Sequence, residues 1–119
     1  MTDARSAAED LVRRHVAAFN AKDVDALLAD FTDDATWITG DHTVPEGGLR
    51  EFFTQAMGAL LPELRVVRVI DGGDVVAAEM TETWTNRGVA KRAALIAVFD
   101  LVEGRIARAK VFREGSADA

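Results

Sequence analysis

The chain has 119 residues, enough for one domain over residues 1–119 and too few for two cores. Hydrophobic residues make up 49% and charged residues 29%, which excludes a disordered chain, and a net charge of -6 disfavours nucleic acid and anionic membrane as partners. With no cysteine and no tyrosine, disulfides, thiol catalysis, zinc–thiolate sites and phenolic donors are excluded.

Ala4 to about Phe19 has helical spacing, with Leu11, Val12, His15, Val16 and Phe19 on one stripe, Arg13 and Arg14 outside it, and Thr2 or Asp3 as N-cap. Asn20-Ala21-Lys22 interrupts the pattern. Asp23 then caps a second helix whose buried stripe is Val24, Leu27, Leu28 and Phe31. Thr32-Asp33-Asp34 is turn chemistry, and the β-branched and aromatic run Ala35 to Thr39 reads as a strand. Gly40 to Gly48, rich in glycine, reads as a loop of the length that often rims a functional site. Leu49, Phe52, Phe53, Ala56, Met57, Leu60 and Leu61 then recur at helical spacing until Pro62 stops them.

From Leu64 the period becomes two. Four strands are predicted, at about Leu64–Ile70, Val75–Thr85, Val89–Leu101 and Arg105–Arg113, joined by the short glycine-bearing turns of antiparallel hairpins. The segment from Gly115 to Ala119 reads as a fraying tail. Helices first and hairpins after predict an α+β fold, with helices on one face of a curved antiparallel sheet. Val89–Leu101 is apolar on both faces, so its outer face calls for a second cover, and a homodimer through that face is the simplest one. No apolar run approaches the ~20 residues of a membrane span, and the polar N-terminus does not read as a signal peptide, so the expected location is cytoplasmic.

Alternation allows the inward faces to be read residue by residue. Val76, Ala78, Met80, Glu82 and Trp84 share one face of their strand, which makes Glu82 the sole charge on an apolar surface. A carboxylate there must be paired, hydrated or protonated, and these are also the conditions of a general acid or base. The plainer reading has Glu82 near a strand end, bonded to an arginine or to water. His15 has a usefully placed ordinary pKa, although a lone histidine on an apolar stripe is commonly a core residue. On the last strand Ala107, Ala109, Val111 and Arg113 share a face, with small residues leaving space and Arg113 at the rim. Ile106, Arg108, Lys110 and Phe112 take the other face. Trp37 and Thr39 share a face of the first strand, and Asp41 and His42 read as solvated loop residues. HExxH, GxGxxG, GxxxxGK and GxSxG are all missing, and two histidines without ligand-like spacing predict neither metal nor cofactor.

The run Phe19-Asn20-Ala21-Lys22-Asp23-Val24-Asp25-Ala26-Leu27-Leu28, followed by Phe31-Thr32-Asp33-Asp34-Ala35-Thr36-Trp37, resembles the opening of SnoaL-like domains in the nuclear transport factor 2-like superfamily. Ala94 to Ile106 resembles that superfamily's penultimate hairpin. The resemblance implies a cone-shaped α+β barrel, its strongly bent sheet wrapped on helices around an apolar pocket and commonly dimeric. Among its relatives, the general base of ketosteroid isomerase falls on Thr39 and its buried acidic donor on Ala97. The pocket tyrosines of that enzyme fall on His15, Phe31 and Phe53. The catalytic set of limonene epoxide hydrolase falls on Met80, Glu82 and Val111. Neither set survives intact, but His15 and Glu82 both occupy positions that the resemblance turns toward the pocket.

Two functions follow as expectations. The first is a cofactor-free acid/base enzyme of secondary metabolism, of cyclase, isomerase, dehydratase or hydrolase type. In it Glu82 moves a proton and His15 assists, while Phe19, Trp37, Thr39, Phe53, Met80, Trp84, Ala97, Val111 and Arg113 contact a small apolar substrate. The second is a non-catalytic ligand-binding or accessory dimer, which gains weight if Arg113 or Arg92 clamps Glu82 with no cavity beside it.

Overall fold

Capping and periodicity set the helices. In the computed structural model, which describes residues 6–59 and 62–114, α1 spans Ala7–Asn20, and the Ser6 hydroxyl caps it by accepting from the Glu9 N–H at 3.0 Å. The caps expected at Thr2 or Asp3, the stripe positions Leu60 and Leu61, and the tail 115–119 lie outside the described residues. Leu11, Val12, His15, Val16 and Phe19 are all buried, as the stripe predicts. The interruption after α1 is an anchor: the Asn20 side chain accepts from the Leu64 N–H at 2.7 Å and donates to its carbonyl at 2.8 Å. Lys22 adopts a φ of 60° there, and the Asp23 carboxylate caps α2 (Val24–Leu28) through the Ala26 N–H. Helix α3 (Leu49–Ala59) buries Leu49, Phe53 and Met57.

Six strands follow the helices or lie between them: β1 (Phe31–Thr39), β2 (His42–Val44), β3 (Glu63–Asp71), β4 (Val75–Asn86), β5 (Val89–Val102) and β6 (Arg105–Arg113). They form one curved, unclosed sheet in the order β2-β1-β6-β5-β4-β3. The hairpins from β3 to β6 are antiparallel, as the short turns demand, but β1 lies parallel to β6. Across the β5–β6 turn, Glu103 and Gly104 both take positive φ, at 51° and 77°, the geometry of a turn whose twist suits a hairpin.

Three sequence expectations change. Phe31 and the Thr32-Asp33-Asp34 turn belong to β1, yet the turn chemistry is real: the β1–β6 register jumps from Phe31↔Ile106 to Thr36↔Arg108, so the chain between arches away from its partner. The loop from Gly40 to Gly48 contains β2, whose His42 pairs with Thr39. Ile106 faces inward and is 1% exposed, because one extra residue on β6 between the pairs Leu101↔Ile106 and Asp100↔Arg108 reverses the side-chain parity.

The inner faces of β4, β5 and β6 supply Val76, Ala78, Met80, Leu95, Ala97, Phe99, Ala109 and Val111 to a core completed by α1, α3 and β1. On the outer side Phe112 is exposed, while Ile96 and Val98 are half-buried.

Candidate functional site

The charged group on the inner face is where alternation puts it. Glu82 is 7% exposed, between Met80 and Trp84, which are also buried. It pairs with Ala93 on β5, and Leu95 two residues further on pairs with Arg113 of β6. Glu82 and Arg113 are therefore separated by β5, about 10 Å of sheet, and the short Ala93 side chain leaves the guanidinium room to cross. Arg113 Nη1 reaches Glu82 Oε1 at 2.5 Å. The contact is one of charges rather than a directed hydrogen bond, since Oε1 has no hydrogen-bond partner among the described residues. Glu114 fastens this end of β6: its N–H donates to the Ala94 carbonyl, and its carboxylate accepts from the Ala94 N–H. The guanidinium carbon lies 5.6 Å from the Trp84 ring centroid, over the indole face. Trp84 Nε1, Arg113 Nε and Arg113 Nη2 are buried without hydrogen-bond partners among the described residues. The site is therefore an apolar wall interrupted by one ion pair and several N–H donors.

His15 occupies a different environment. Its ring stacks on Trp37 at 5.8 Å and 25°, meets Phe99 and Phe53 edge-on, and tilts against Phe31. Burial in this aromatic nest lowers its pKa from 6.5 to about 4, against a smaller upward pull from the Asp30 carboxylate. His15 is thus a neutral imidazole at neutral pH, and its Nδ1 lacks a hydrogen-bond partner among the described residues. No hydrogen bond or ion pair joins it to Glu82, so the two candidate catalytic groups stand in separate clusters.

The remaining predicted residues divide between them. Trp37 and Phe53 belong to the aromatic nest, and Trp84 and Arg113 to the ion-pair cluster. Met80, Ala97 and Val111 are buried in the core, as is Phe19, whose ring lies under the Lys22 ammonium. Thr39 is half-buried at the end of β1, paired with Val111. Three clefts measure about 630, 540 and 210 Å³, and the first includes Trp84, Thr83, Lys91 and Arg92 in its walls. Neither Glu82 nor His15 lines any of the three. Arg92 is exposed and leaves Glu82 to Arg113. Sequence reasoning did not single out Phe99 as a neighbour of the histidine or Lys91 as a cleft residue. Phe99 carried a signal in its inward parity on β5; Lys91 carried none. Among the described residues no group of three or more His, Cys, Asp or Glu side chains is gathered to hold a metal ion, and no helix is long and apolar enough to cross a membrane.

Solved structures share this arrangement. An NTF2-like protein of unknown function from Burkholderia pseudomallei superposes with a TM-score of 0.83 at 18% identity, over 92% of each chain. A protein from Jannaschia, provisionally named a SnoaL-like polyketide cyclase, gives 0.80 at 16% identity, over 95% of this chain and 92% of its own. AclR from Streptomyces galilaeus, provisionally named a hydroxylase, gives 0.76 at 20% identity, over 90% and 88%. At these identities the likeness is one of fold. No curated protein sequence matches the chain. The family model described as the SnoaL-like domain matches residues 12–109, most of the chain, from within α1 through the arched first strand and the hairpins into β6. The chain belongs to the SnoaL-like domain family of the nuclear transport factor 2-like superfamily.

Proposed function

We infer that this domain binds a small, largely apolar organic molecule against the inner face of its sheet, and that Glu82 moves a proton on it without calling on a cofactor. The observation that supports this most directly is the burial of the Glu82 carboxylate on an apolar strand face, between Met80 and Trp84. An ionised carboxylate is an acceptor-only group, able to take a proton from an acidic C–H or from water. The family setting favours cyclisation, isomerisation, dehydration or hydrolysis as the reaction type. His15 serves this reading as a neutral wall residue or a donor, and does not act through Glu82 directly.

The second reading, ligand binding without turnover, draws support from Arg113 occupying the carboxylate and from Glu82 standing outside the three clefts. Turnover and binding measured together on a panel of polyketide and terpenoid compounds separate the two. Under the catalytic reading Glu82→Gln lowers the rate roughly 10²–10⁴-fold with binding retained. His15→Phe, measured in parallel, gives a smaller loss. Rates unchanged in both variants would end the catalytic assignment, and binding with no turnover by the parent protein would favour the second reading. The same proposal includes a cytoplasmic homodimer joined through the outer face of the sheet.

A further inference from the structure

On the outer face of the sheet most basic side chains are occupied. Arg68 pairs with Glu79, Arg108 with Asp100, and the Lys110 ammonium lies over the Phe112 ring. Arg65 and Arg92 differ, since neither meets a carboxylate, an acceptor or a ring among the described residues, in a chain whose acids outnumber its bases. Both line the cleft of about 540 Å³, together with Thr81 and Thr83. Register explains the grouping. Arg65 is cross-strand from Thr81 and Arg92 from Thr83, so the two arginines flank β4 on the face opposite Glu82, their Cα atoms roughly 12 Å apart. Alternation brings both threonines to that same face. Glu63 shares the row of Thr83 and Arg92 but forms no ion pair with Arg92, because the branched Thr83 side chain stands where the inner face has only Ala93 between Glu82 and Arg113.

These donors select an oxyanion. Two guanidinium forks and two hydroxyls offer more hydrogens than the two oxygens of a carboxylate accept, and they suit the three oxygens of a phosphate group. Charge agrees. The adjoining cleft of about 630 Å³ shares Glu63, Thr83 and Arg92 and adds Lys91, so three cations face one carboxylate and a dianion neutralises the surplus. The volume also exceeds what bare phosphate fills, which leaves room for an organic group beside the exposed Val67.

We propose that Arg65 and Arg92, with the Thr81 and Thr83 hydroxyls, form a phosphate-binding site on the outer face of the sheet. It lies across the sheet from Glu82 and stands independently of any chemistry on the inner face. In the test, phenyl phosphate, inorganic phosphate and benzoate are titrated at fixed ionic strength while the Thr81 and Thr83 amide resonances are followed by NMR. Phenyl phosphate is expected to bind saturably and about tenfold tighter than benzoate, and Arg65→Gln and Arg92→Gln should each weaken it about tenfold. Glu63→Gln, which removes the opposing charge, should tighten it, and Arg68→Gln, on the same face but outside the cleft, should leave it level. All four substitutions fall at exposed positions. An ester bound more tightly than inorganic phosphate supports the site with an organic phosphate as its ligand; equal affinities support it with free phosphate. Shifts that never saturate, benzoate bound as tightly as phenyl phosphate, or an equal loss in Arg68→Gln would overturn the site and reduce these arginines to a diffuse positive field.

Discussion

Four aromatic rings surround His15, and a proton added there must be held away from water. The imidazole takes its proton near 6.5 in the unfolded chain and only near 4 in the fold. Between those values the unfolded state carries more protons, so this contribution to stability is complete above about pH 6.5 and declines as the medium is acidified toward 4. Across the window the loss is about 3 kcal/mol, at 1.36 kcal/mol per unit. Urea unfolding at pH 7 and pH 4.5 should show a lower midpoint at the acid end, and His15→Phe should remove most of that difference. A midpoint that falls equally in both proteins would place the acid sensitivity elsewhere. The position of His15 on its helix was legible from spacing alone, and so was the solitary charge of Glu82. The partner of Glu82 was legible only in part: parity turned Arg113 inward, but its reach over β5 depends on the smallness of Ala93, and one strand's pattern does not show what its neighbour leaves open.

At the level of elements, strict alternation made β4 and β5 readable to the residue, because each keeps one register along its pairing with the other. The strands that misled are those with irregular pairing. In β6 one extra residue turns Ile106 inward, and in β1 the arch at Thr32–Ala35 removes the usual strand signal from Phe31 onward. Bulges are properties of a pair of strands, and one strand's own sequence has no period that announces them. The turns were easier, since Glu103-Gly104 combines a hairpin position with the residue that tolerates positive φ. Gly104→Ala should destabilise the protein by about 1 kcal/mol, a fall in Tm of roughly 4 °C. A Tm unchanged by calorimetry would mean that the turn relaxes to another geometry.

For the whole molecule, the open sheet leaves two questions that the helices do not answer: what covers its outer side, and how its halves come together. The outer side presents Phe112 at 49% exposure, cross-strand from Ile96, with Val98 nearby. If a second copy covers it, Phe112→Glu should shift the protein from dimer to monomer in light-scattering chromatography while its circular dichroism stays the same. A parent protein that is monomeric at micromolar concentration would exclude this interface. The second question is answered by the parallel pairing of β1 with β6. The last of the six strands to leave the ribosome inserts between the first and the fifth, in the interior of the sheet. Until it arrives, the nascent chain holds two separate sheet fragments with unpaired edges, a state open to mispairing and to chaperones. Arg113, at the end of that strand, is then among the last side chains to be seated, so a polypeptide truncated before β6 would lack both the continuous sheet and the cation that balances Glu82.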